Sequence, residues 1–92
     1  MAILSVSEFE TVLSQAVLHL QSWMHANGEN PDIKKAIRSL EQIRDCAREA
    51  APLKSKRSLL ESTSDSLQAK LPDDEKLRND MWDCLDYIDY RA

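Results

Sequence analysis

A single glycine, Gly28, serves the whole chain of 92 residues, and the only other strong turn formers are Pro31, Pro52 and Pro72. A sheet protein must turn about every 8–12 residues, and its tight turns draw on glycine for positive φ. One glycine cannot supply them. The three prolines instead divide the chain into four segments of similar length, and each segment repeats its apolar residues at helical steps of three and four.

In the first segment the repeat is Phe9, Leu13, Ala16, Val17, Leu20, Trp23 and Met24. "SVSEFE" offers two overlapping capping boxes, Ser5 with Glu8 and Ser7 with Glu10. Gly28 is placed to end the helix, which is expected at about 7–26. The second segment starts Asn30-Pro31-Asp32: a cap, a proline at the first helical position and an acid in the first turn. Ile33, Ala36, Ile37, Leu40, Ile43 and Ala47 form its stripe, with Glu41 at salt-bridge spacing from Arg38 and Arg44. A helix over about 31–50 follows.

The third segment aligns Leu53, Leu59, Leu60, Thr63, Leu67 and Leu71, but "ESTSDS" is poor helix material. Its short polar side chains compete for backbone hydrogen bonds. This helix is expected to be the weakest, broken or partly mobile. The fourth segment opens with Asp73 or Asp74 as a cap, and Leu77, Met81, Cys84, Leu85 and Ile88 mark its core face. Arg91 in its last turn suits the helix dipole. The expected fold is all-α: one domain over 1–92, a compact bundle of four short amphipathic helices, or five if the third breaks. Leu40, Ile43, Leu85 and Ile88 are expected in its core.

Charge is unevenly placed. Residues 1–72 hold nine acids and nine bases; residues 73–92 hold seven acids against three bases, which is the whole net charge of −4. That asymmetry favours a basic protein partner and disfavours nucleic acid. The N-terminus shows no basic leader pattern, and no apolar run approaches the roughly 20 residues of a membrane span. The two cysteines, Cys46 and Cys84, have no metal-type spacing and read as buried reduced thiols of a cytoplasmic protein.

Signatures of catalysis are lacking. One glycine cannot build a phosphate-binding loop. His19 and His25 are six apart and do not share a face as a zinc pair would. Asp80, Asp83, Asp86 and Asp89 step by three without the Glu-x-x-His of a di-metal bundle. Cys84 lies on the core stripe, where neighbouring acids raise a thiol's pKa. No enzyme activity, cofactor or metal is expected. The bases between Lys34 and Arg57 interleave with Glu41, Asp45 and Glu49 and read as a solvated face.

The closing segment, "NDMWDCLDYIDYRA", concentrates Trp82, Tyr87 and Tyr90, three of the chain's five aromatics, among its acids. Asp83, Asp86, Tyr87 and Tyr90 fall on one helical stripe. Tyrosine and tryptophan dominate binding energy at protein interfaces, and acids speed the approach of a basic partner. Trp82, Asp83, Asp86, Tyr87, Asp89 and Tyr90 are therefore the expected partner-binding residues.

"AIRSLEQIRDCARE" at 36–49 and "PDDEKLRNDMWDCLDYI" at 72–88, in a chain of four helical segments, resemble a family of small helical immunity proteins of bacterial type VI secretion. That family neutralises an effector that degrades NAD(P)+. The resemblance implies a cytoplasmic antitoxin without enzymatic activity, whose partner is a cognate effector toxin and which plugs that toxin's active site. Carboxylates would stand in for phosphates and rings for the base in a basic, nucleotide-consuming cleft. The alternative is a helical adaptor or regulatory subunit that offers the same surface to another basic protein. A homodimer of the free protein, and no nucleic acid or membrane partner, complete these expectations.

Overall fold

Side-chain caps set three of the four helix starts. In the computed structural model, which describes residues 3–91, the Ser5 hydroxyl accepts the Glu8 N–H and opens α1 (Val6–Asn27). The Glu8 carboxylate returns a bond to the Leu4 N–H, so the chain entering α1 is held from both sides. Gly28 closes the helix at φ 97°, donating its N–H to the Met24 carbonyl. Asn30 accepts from the N–H groups of Asp32 and Ile33, with Pro31 first in α2 (Pro31–Arg48). Asp74 accepts the Leu77 N–H and opens α4 (Glu75–Tyr90).

α2 ends two residues before the expected limit. Ala50 takes φ 55°, its N–H meets the Ala47 carbonyl at 3.2 Å, and the Ala51 N–H meets that of Cys46 at 3.1 Å. This is a Schellman ending with alanine where glycine is usual.

The third segment is less regular than the others, as expected, but its helix is not broken. A 3-10 turn at Leu53–Lys56 runs into an unbroken helix, α3 (Arg57–Lys70), with no side-chain cap. The hydroxyl-rich tract stays helical. Thr63 donates its hydroxyl to the Leu59 carbonyl within the helix, Gln68 donates to the Ser64 hydroxyl, and Leu60 and Leu67 are buried. Tertiary burial outweighs weak intrinsic propensity here.

α1 packs on α2, α2 on α3, α3 on α4, and α4 back on α1, so α2 and α4 stand across a diagonal. Short loops make the neighbours antiparallel. Three of the four interfaces carry an ion pair and the fourth a His19–Asp74 hydrogen bond, each linking the start of one helix to the far half of its neighbour. Arg48 Nε lies 3.4 Å from Glu10, Lys70 Nζ 2.9 Å from Asp32, Arg57 Nε 2.9 Å from Asp89, and His19 Nε2 2.5 Å from Asp74.

The core is aliphatic around two rings, Phe9 and Tyr87. Phe9, Leu13, Leu20, Ile33, Leu40, Ile43, Leu60, Met81 and Ile88 are all fully buried, each worth about 1.5–3 kcal/mol of hydrophobic burial. Leu85 is only partly covered and packs on the edge of this core. The radius of gyration is 12.3 Å.

Candidate functional site

Tyr87 decides which way α4 faces. Its ring lies 5.2 Å from that of Phe9, and only 6% of the residue remains exposed. Placing Tyr87 against α1 turns the helix so that Glu75, Asn79, Trp82, Asp86 and Tyr90 become its outermost line, all of them exposed. They step by four, three, four and four, the repeat of one helical face.

The expected binding residues therefore divide. Trp82 is 50% exposed and Tyr90 82%, and Asp86 is exposed between them. Among the described residues, no ion pair or side-chain hydrogen bond engages the Asp86 carboxylate. Asp83 is half-buried on one flank. Tyr87 is a core residue, because its ring fills the space against Phe9 that the aliphatic stripe leaves open. Asp89 is exposed but engaged: Arg57 donates Nε to Oδ1 at 2.9 Å and Nη2 to Oδ2 at 3.2 Å. This two-point bond from Arg57 holds the Asp89 carboxyl below its ordinary range, and a carboxylate held this way is less available to a partner. Asn79 and Glu75 carry no binding signal of their own in the sequence. Both lie on the outward line that Tyr87's inward turn defines.

Trp82 is positioned from its own helix. The Arg78 guanidinium lies over the indole, 5.6 Å from the ring centre, a cation–π contact that covers part of the ring and fixes its direction. Arg78 also reaches the Pro72 carbonyl at 3.5 Å and lies 3.9 Å from Glu75. The result is an indole supported from one side, with a carboxylate one turn on and a tyrosine two turns on.

The cysteines are structural. Both are buried and unpaired. Burial pushes the Cys84 thiol far above its ordinary range, and the nearby Asp80 and Asp83 carboxylates add to the effect. A thiol in that setting is a poor nucleophile.

The remaining concavities are shallow and outward. One of about 190 Å³ between α2 and α3 is lined by Lys35, Ser39, Leu59, Ser62, Thr63 and Ser66. Another, of about 450 Å³, lies beside Trp23 and Asp73. Among the described residues no group of three or more His, Cys, Asp or Glu is placed to hold a metal ion, and no helix is long and apolar enough to cross a membrane. Compared with protein-family models, with curated proteins and with solved structures, the chain matches none.

Proposed function

We propose that this protein binds a basic protein partner through the outward line of α4, and that it acts there as an immunity protein occluding a toxin's active site. The observation that carries the binding part is Trp82: a half-exposed indole backed by Arg78 and followed along the helix by Asp86 and Tyr90. A soluble helix gains little by exposing tryptophan and tyrosine beside carboxylates. A binding helix gains anchors from the rings and orientation from the acid. The toxin expected is one that consumes a nucleotide or NAD, because a cleft shaped for phosphates is basic and suits a carboxylate-bearing helix. This part of the reading rests on the resemblance of residues 36–49 and 72–88.

An adaptor would use the same surface, and the two roles differ in what happens to the partner. The test is protection of growing cells from the toxin encoded beside this gene, with Trp82→Ala and Asp86→Lys compared with the parent. Immunity requires that the parent protects, that the toxin's activity falls on binding, and that both folded variants protect less. If the partner binds but keeps its activity, the protein is an adaptor. If both variants remain folded and protect fully, α4 is not the binding surface.

A further inference from the structure

The exposed side of α2 carries an ordered charge sequence that the α4 reading does not use. Lys35, Arg38, Gln42, Asp45 and Glu49 are all exposed and step by three, four, three and four, so they form one straight stripe about 21 Å long. Along it the charges read plus, plus, neutral, minus, minus. This order opposes the helix dipole, which favours acids near the N-terminus and bases near the C-terminus. Off the stripe, Glu41 and Arg44 pair within α2 and Lys34 pairs with Glu29, while two charges reach other helices. Asp32 pairs with Lys70 of α3 and Arg48 with Glu10 of α1. On the stripe, no side chain of another helix pairs with Lys35, Arg38, Gln42 or Glu49 among the described residues, and Asp45 meets only Arg44 and Arg48 of its own helix, at 3.6 and 3.9 Å.

The stripe is complementary to itself when inverted. A second copy laid antiparallel with Gln42 opposite Gln42 brings Lys35 to Glu49 and Arg38 to Asp45, twice over. Each basic N-terminal half then faces an acidic C-terminal half, and the two helix dipoles also oppose. This is the self-matching surface that a two-fold dimer needs, in which residue i meets j and j meets i.

We infer that two copies of this protein associate antiparallel through α2, with Gln42 on the two-fold axis and Lys35 and Arg38 paired to Glu49 and Asp45 of the other copy. Contacts of this exposed, charged kind are individually weak and screened by salt. The dimer is therefore a low-salt, concentration-dependent species. Because α2 and α4 stand across a diagonal, it leaves Trp82 open, and the inference holds or fails independently of the immunity reading.

The test uses Gln42→Cys in the full chain, since a residue on a two-fold axis meets its own copy. Cys46 and Cys84 are buried and do not compete. With diamide as the oxidant at low salt, Gln42→Cys is expected to form disulfide dimer at least tenfold faster than Gln15→Cys, an exposed position on α1. At 0.5 M salt the advantage should disappear. Adding Lys35→Glu with Arg38→Glu makes one stripe wholly acidic; adding Asp45→Lys with Glu49→Lys makes another wholly basic. Each should crosslink slowly alone, and an equimolar mixture should regain the parent rate or exceed it. The same mixture with its cysteine at position 15 should stay slow. All these positions are exposed, and thermal melts check that each variant is folded. The inference is overturned if Gln42→Cys crosslinks no faster than Gln15→Cys, or if the mixture is no faster than its components.

Discussion

The Tyr87 ring lies 5.2 Å from the Phe9 ring and inclined to it by 32°, so an aromatic contact near the two chain ends ties α4 to the start of α1. Phe9 is fully buried and Tyr87 nearly so. Phe9→Ala should cost about 3–5 kcal/mol, and Tyr87→Ala a similar amount, whereas Tyr87→Phe, which keeps the ring, should cost far less. Urea midpoints for the three variants check this. A Tyr87→Ala protein as stable as the parent would place Tyr87 back on the binding surface.

Leu40 and Leu85 should separate by burial. Leu40 is enclosed, and Leu85 sits at the core's edge. Leu40→Ala is expected to cost about 3 kcal/mol or more, and Leu85→Ala about 1–2 kcal/mol, because an edge site can relax and leaves less cavity. Equal losses would mean that α4 is rotated differently from the arrangement described.

Asp74 predicts an acid limb of stability. Its carboxylate caps α4 through Leu77 and receives His19 at 2.5 Å. Partial burial alone would raise its pKa, but the hydrogen bonds from His19 and the Leu77 N–H, with the charges of His19 and Lys76, hold it below the ordinary aspartate range. A carboxyl whose folded pKa is depressed adds stability that is fully present above its unfolded pKa of about 3.9 and is lost as pH falls through the lower folded value. Asp74→Asn keeps a capping oxygen but no charge. Its deficit in urea midpoint against the parent should be fully developed once the carboxylate is ionised, above about pH 4, and shrink as pH falls from about 4 toward 2. A deficit independent of pH would rule out the ion pair as its source.

Ala50 should be improvable. At φ 55° its Cβ crowds its own backbone, which glycine avoids. Ala50→Gly is expected to raise stability by about 1 kcal/mol, against the usual direction for that substitution. A thermal melt decides it, and a lower melting temperature would contradict the left-handed ending of α2.

The thiols should report unfolding. Cys46 and Cys84 are both buried, and the Cys84 thiol is pushed well above its ordinary range. An aromatic disulfide reagent at pH 8 should label neither in the native protein and both in denaturant, with labelling that tracks the circular dichroism transition. Rapid labelling of one cysteine under native conditions would mean that its helix opens locally.

Much of the secondary structure is local information. Gly28, Asn30 and Pro31 act within a few residues of where they stand, so their helix ends could be read directly, whereas Ser5 and Asp74 were each one of two neighbouring candidates between which the structure chooses. The same holds for the stripes of α1 and α2, whose buried residues are those that recur at three and four. The all-helical architecture follows from scarce turn residues and four such stripes.

What the sequence could not decide is how each helix is rotated where its apolar stripe is ambiguous, and how far tertiary burial overrides local weakness. α4 carries apolar or aromatic residues on most of its circumference, so periodicity alone allowed Tyr87 to face outward and Leu85 inward. Contact with Phe9 settles the rotation, because burying a large ring against another gains more than burying one leucine fully. Likewise "ESTSDS" is a poor helix by itself, yet Leu60 and Leu67 anchor it between α2 and α4 and Thr63 bonds its own helix backbone. Arg57 is 32 residues from Asp89 in the chain, and their pairing engages one of the four aspartates that step by three along α4 while leaving Asp86 exposed. Such pairings depend on which helix ends meet, and only the folded bundle brings those ends together.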